Sequence, residues 1–183
     1  MANYVERMAR WRVPLHFALA AAVAVFARPT GLLLGTGASL VAVGLVVRAW
    51  AAGHLRRDAS LTTSGPYAHL RHPLYLGSAF VLAGFGVAGG RVWLAVLFGL
   101  YFLLLFVPVM QREERERRAR SPDLYADYAK QVPALLPRPL PARVRGESRV
   151  RFDAVLYLRN REWRAALGCA LLLGILYGRM VWG

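Results

Sequence analysis

VWLAVLFGLYFLLLFVPVMQREERERRAR, residues 92–120, is apolar as far as Met110 and then turns to Arg and Glu, with no Gly or Pro between Met110 and Ser121. A helix needs about 20 apolar residues to cross the hydrocarbon core of a bilayer, so residues 92–110 read as a span. The charged continuation reads as the same helix leaving the membrane, followed by a Ser121-Pro122 break and a short helix holding Tyr125 and Tyr128. Working outward, further apolar runs occupy residues 13–27, 31–47, 74–90 and 165–182, with Trp11, Trp50, Trp93 and Trp163 near their ends. Tryptophan favours the membrane interface, where its ring is half in lipid and half in water. The expectation is an all-α integral membrane protein: one membrane domain over residues 1–183, a bundle of about five transmembrane helices. Polar segments 48–73 and 111–164 lie between them.

Composition agrees with this class. Of the 183 residues, 57% are hydrophobic, and a mean hydropathy of +0.36 is high for a chain that must clothe itself in charge. The net charge of +14 would suggest nucleic acid in a soluble protein. Here the bases sit between apolar runs, so membrane lipids, with anionic headgroups, are the expected partner and nucleic acid is not. The single cysteine, Cys169, cannot form an internal disulfide and reads as a small apolar residue in a helix. The four His lack the spacing of a metal site, so no metal is expected.

Orientation follows from Lys and Arg. With the N-terminus inside, twenty-one lie on the cytoplasmic side: three before residue 13, four in 48–73 and fourteen from Arg112 to Arg164. Only Arg28, Arg91 and Arg179 lie outside. The positive-inside rule therefore puts both polar segments on one cytoplasmic face, making a cytoplasmic C-terminal catalytic segment of 111–164. A signal peptide is the rival reading of residues 1–27, but Arg28-Pro29-Thr30-Gly31 reads as a hairpin turn rather than a cleavage site. The alanine- and arginine-rich composition suggests a bacterial inner membrane.

Two clusters on that face carry chemistry. In GPYAHLRHPLYLG, residues 65–77, Gly65-Pro66 makes a turn and Pro73 opens the next span, where a missing N–H costs nothing. A helix N-terminus there favours a carboxylate, and Arg71 and His72 add donors beside Tyr67 and Tyr75. Glu113 and Glu114 follow the span that ends at Met110. Read blandly, the first cluster is an interfacial belt of Arg and Tyr, and the Glu pair only neutralises Arg112, Arg115, Arg117 and Arg118 through helical spacing. Read together, they surround an interfacial pocket for a zwitterionic or cationic small molecule. Gly84-Phe85-Gly86-Val87-Ala88-Gly89 spells a dinucleotide fingerprint but lies inside a span. Small residues that let helices approach, as in the Gly31/Gly35 and Gly86/Gly90 pairs, explain it better.

Arg71-His72-Pro73-Leu74-Tyr75-Leu76-Gly77, preceded by Gly65-Pro66-Tyr67, resembles the R-H-P-x-Y-x-G signature of the membrane methyltransferases that include isoprenylcysteine carboxyl methyltransferase and the phospholipid N-methyltransferases. Glu113, Glu114, Tyr125, Tyr128, Val132, Pro133 and Pro137 resemble that family's later E-E…Y-x-x-Y…V-P…P pattern. Family members usually carry Leu and then Phe-Gly where this chain has Arg117 and Ser121-Pro122. The resemblance covers roughly residues 31–138 and implies S-adenosylmethionine as cofactor. By it, Tyr67, His72, Pro73, Tyr75, Gly77, Glu113, Glu114, Tyr128 and Pro133 would bind the cofactor, with Arg71 and Glu114 catalytic. The acceptor would be a lipid or amphiphilic small molecule. An NADPH-dependent membrane reductase of the sterol-reductase type, or a non-enzymatic module binding anionic lipid, are the competing readings.

Overall fold

The computed structural model describes residues 2–56, 61–143 and 151–182, with side chains from residue 14 onward. Trp11, the three arginines before residue 13, Arg57 and most of the basic connector 142–151 fall outside the described side chains. Among the described residues every regular element is helical. The long elements are α1 (Ala2–Phe26), α2 (Gly31–Ala52), α3 (Pro73–Ala88), α4 (Val92–Tyr101), α5 (Val107–Arg120) and α8 (Trp163–Trp182). Between α5 and α8 fall α6 (Pro122–Gln131) and the short α7 (Ala154–Arg159).

The opening stretch is one rod, but it is not uniform. Between α4 and α5, Phe102–Phe106 widens into a π-turn. Pro108 explains it: it has no N–H to return to the carbonyl of Leu104, and its ring crowds that carbonyl. The rod ends where predicted. Pro122 forbids α geometry at Ser121, which takes φ −147° and ψ 73°, and then opens α6 with its fixed φ.

By length and hydropathy three helices can cross a membrane: Gly31–Ala52, Val92–Arg120 and Trp163–Trp182. Pro14–Phe26 and Pro73–Ala88 are apolar but shorter. At 1.5 Å per residue the 16 residues of α3 reach only about 24 Å. The count of five therefore rests on two segments that need help from their flanks.

The chain forms two compact units. The first contains Met1–Val43, Ala79–Val109 and Ala166–Gly183. Its core includes Val23, Val41, Phe85, Leu94, Phe98 and Leu176, while Phe17, Leu32, Val92, Leu103 and Leu171 are exposed apolar residues of the kind a lipid environment covers. Close helix approach occurs within the small-residue stretch as expected, at Gly84 against Gly37 and at Gly86, where a Cβ would stand 3.0 Å from Ala95 Cα. A Cβ on Gly37 would stand 2.5 Å from the Gly84 carbonyl, and one on Gly84 2.6 Å from the Gly37 carbonyl. Gly31 and Gly35, expected to play this part, face open space, and Gly90 serves a turn at φ 63°. Inside this unit His16 Nδ1 lies 2.6 Å from the Tyr101 hydroxyl, next to the π-turn.

The second unit contains Gly44–Ser78 and Met110–Ala165. Tyr125, Tyr128, Val132 and Ala142 form its tightest core, with Leu61, Leu124 and Ala129 against them. The proline-rich chain after α6 is extended, as its sequence predicts, and lies along residues 68–72. Pro133 O and Ala134 O accept from the N–H groups of Arg71 and His72, while Arg138 and Ala142 donate to the carbonyls of His69 and Ala68. Residues 151–165 close the unit: Asp153 N donates to Gly53 O, and the Asn160 amide donates to the carbonyls of Ala52 and Leu55.

Candidate active site

Residues 71–75 are placed by two constraints. Pro73 starts α3, and Tyr75 N and Leu76 N both donate to His72 O, so His72 sits at the helix mouth. The adjacent N–H groups of Arg71 and His72 are already taken by the Pro133 and Ala134 carbonyls. Anion-holding capacity at this mouth therefore rests on the Arg71 side chain more than on the bare helix end expected from sequence.

Opposite stands the first charged turn of α5. Glu114 Oε1 accepts from Arg71 Nη1 and His72 Nε2, each at 3.0 Å. Arg71 Nη1 also donates to the Tyr125 hydroxyl at 3.2 Å. One residue earlier, Glu113 Oε1 accepts from the Tyr75 hydroxyl at 2.6 Å, and Arg117 Nη2 approaches Glu113 Oε2 at 3.7 Å. Both carboxylates thus reach across to α3, and only the exposed Glu116, paired with Arg112 at 2.6 Å, behaves as simple surface charge balance. Glu113 and Glu114 remain part-exposed, and the contacts of Glu114 fall on Oε1 alone.

Burial tunes the titratable groups. His72 is 3% exposed, and its desolvation lowers its pKa against the raising effect of Glu114. It is therefore neutral at pH 7, and since a carboxylate only accepts, the proton resides on Nε2. Burial, reinforced by the Glu114 charge, raises the Tyr125 pKa, and burial raises that of Tyr128. Both hydroxyls stay protonated donors. Arg71 Nε is enclosed with no partner. A buried donor without an acceptor is uncommon, and it marks a position where a bound anion or carbonyl would be gained at little cost.

The family model for phospholipid methyltransferases matches residues 32–117. Over 162 residues the chain is 32% identical to the cobalt-zinc-cadmium resistance protein CzcN of Cupriavidus metallidurans, covering 85% of this chain and 74% of that one. The chain belongs to the phospholipid methyltransferase family. It is also 30% identical over 140 residues to the nickel-cobalt-cadmium resistance protein NccN of Alcaligenes xylosoxydans xylosoxydans, covering 73% of this chain and 65% of that one. No solved structure matches the chain.

The family match contains α3 and both glutamates but stops before α6. Of the residues singled out from sequence, Arg71, His72 and Glu114 come together as one polar chain, and Tyr75 and Glu113 form a hydrogen-bonded pair beside it, with the His72 and Tyr75 rings 5.6 Å apart. Others hold it in place. Tyr128 is fully buried and donates to the Tyr67 carbonyl at 2.7 Å, fixing the turn before Arg71. Pro73 is buried at the helix start, and Pro133 is exposed and contributes its carbonyl. Gly77 lies under Arg48: a Cβ there would meet Arg48 Cγ at 2.5 Å and the Gly44 carbonyl at 2.7 Å. Its small size serves packing of α3 against the end of α2.

Two contributors were given no site role by the sequence, although Tyr125 belongs to the resembled pattern. The Tyr125 hydroxyl joins the polar chain, and its helical spacing to Tyr128 was visible but its direction was not. Arg48 is held by Glu162 Oε2 at 2.6 Å from Nη2 and 3.0 Å from Nε, and its Nη1 donates to the Ser78 hydroxyl at 2.5 Å. No local pattern links residues 114 positions apart.

Proposed function

We propose that the chain transfers a methyl group from S-adenosylmethionine to a lipid or lipid-like acceptor at the cytoplasmic membrane interface. The observation that carries this reading is the shared Glu114, which holds Arg71 and His72 at the mouth of α3 while Glu113 holds Tyr75. Family membership supplies the reaction class.

The donor set fits the cofactor. Glu113 and Glu114 suit an amino group, ribose hydroxyls and a positive sulfonium, and the unpartnered Nε of Arg71 suits a carboxylate. S-adenosylmethionine, when bound, supplies an activated methyl group. What the chain adds is alignment and exclusion of water, which favour a displacement in which opposite charges merge. Neutral His72 cannot repel a cation, and its Nε2–H keeps the Glu114 carboxylate turned toward the site. For an acid acceptor, Arg71 orients the carboxylate; for an amine acceptor, Glu114 takes the proton lost on methylation.

Reconstituted protein supplied with tritiated S-adenosylmethionine and a bacterial lipid extract tests the reading through label recovered in the organic phase. Incorporation is expected, and Glu114→Gln lowers kcat by about 100-fold if the acceptor is an amine. With a carboxylate acceptor the larger loss falls on KM in Arg71→Gln. No incorporation by a folded sample with any lipid fraction overturns it.

A further inference from the structure

We infer that residues 151–164 form an anchor that lies in the headgroup layer of an anionic leaflet, with the face bearing Val155 and Leu158 immersed and the arginines against lipid phosphates. These residues spell RFDAVLYLRNREWR, four Arg against two acids.

Both acids are turned to structural tasks. Asp153 caps α7, accepting from Val155 N at 2.7 Å and Leu156 N at 3.3 Å. Glu162 is held by Arg48. Arg151, Arg159, Arg161 and Arg164 are all exposed, so the outward charge of the segment is entirely basic. Beside them Val155 is 71% exposed and Leu158 58%, one turn apart on the same face, with Phe152 and Trp163 also exposed. An apolar stripe edged by arginine and tryptophan is the composition of an interfacial segment.

The occupant of this face is set by chain continuity. Trp163 is the first residue of α8, one of the helices long and apolar enough to cross the membrane. A segment that leads directly into such a helix is tethered close to the headgroup region, so lipid is the nearest partner for the exposed Val155 and Leu158, and the basic residues beside them favour an anionic one. The inner ends of the segment are fixed through Arg48–Glu162, Asn160 to Ala52 and Leu55, and the Phe152 ring against Gly53. These contacts tie the inner side of the segment and leave the Val155 and Leu158 face turned outward. This inference is independent of what the protein methylates.

Nitroxide labels at Val155→Cys and Leu158→Cys, in a Cys169→Ser background, test it in nanodiscs. Collision rates with lipid-soluble oxygen and with a water-soluble nickel chelate report depth. In phosphatidylcholine containing phosphatidylglycerol, both labels should collide more with oxygen than with nickel, and the ratio should fall in phosphatidylcholine alone. Each arginine beside an anionic leaflet shifts that partition by about fivefold, so Arg151→Gln with Arg161→Gln should remove most of the dependence on phosphatidylglycerol. A nickel-dominated signal in the anionic nanodiscs overturns the inference. So does shielding from both reagents, which would mean that protein covers the face, or a ratio indifferent to lipid charge in the unsubstituted segment.

Discussion

His72 shows how one side chain reports on the whole mouth of α3. Its pKa lies below the ordinary 6.5 because burial outweighs Glu114. The unfolded chain therefore binds a proton more readily than the folded one, so this contribution to stability is complete above pH 6.5 and is lost as pH falls toward the folded pKa. Thermal unfolding in detergent should show stability dropping as the buffer is acidified below about pH 6.5, with His72→Gln flattening that slope. Tyr128→Phe should cost about 1–2 kcal/mol in denaturant unfolding, since it removes a buried hydrogen bond to the Tyr67 carbonyl. At this scale the sequence was informative where chemistry and spacing coincide: Arg71, His72, Tyr75 and the Glu pair were legible from their pattern. Gly77 was legible as needed, but its reason is contact with the Arg48 stem, which no local pattern encodes.

Helix boundaries came from local rules. Pro73, the Ser121-Pro122 break and the proline-rich chain after Val132 all act where they stand, because proline acts on its own φ, on the residue before it and, inside a helix, on the carbonyl one turn back. Helix crossings came only in part: Gly84 and Gly86, in the small-residue stretch, do meet Gly37 and Ala95, whereas Gly31 and Gly35 have the spacing of an interface and face open space, because which face of a uniformly apolar helix meets its neighbour is set by the neighbour. Gly84→Ala should therefore destabilise by about 1–3 kcal/mol through overpacking, whereas Gly35→Ala should be neutral or slightly stabilising because alanine is the better helix former. Steric trapping or SDS unfolding of the two variants side by side checks the contrast. The π-turn was likewise unread, although its cause, Pro108 inside an apolar run, was in view.

For the molecule as a whole, apolar run length and charge segregation were enough to give an all-helical membrane protein, and the family confirms the class. The role of residues beyond the family match was not legible, because Glu162 acts on Arg48 through space. Glu162→Ala should leave a half-buried guanidinium short of its carboxylate, lowering the stability of the protein by about 1–3 kcal/mol in unfolding assays, an effect that Glu162→Asp only partly restores. The proposed role of Glu113, Glu114, Arg71 and His72 as the holders of one S-adenosyl cofactor is open to isothermal titration of the detergent-purified protein with S-adenosylhomocysteine. Saturable binding with one site per chain is expected, weakened about 10- to 100-fold by Glu114→Ala, which removes charge-assisted hydrogen bonds. Absence of binding by folded wild-type protein, or equal binding by Glu114→Ala, would contradict it.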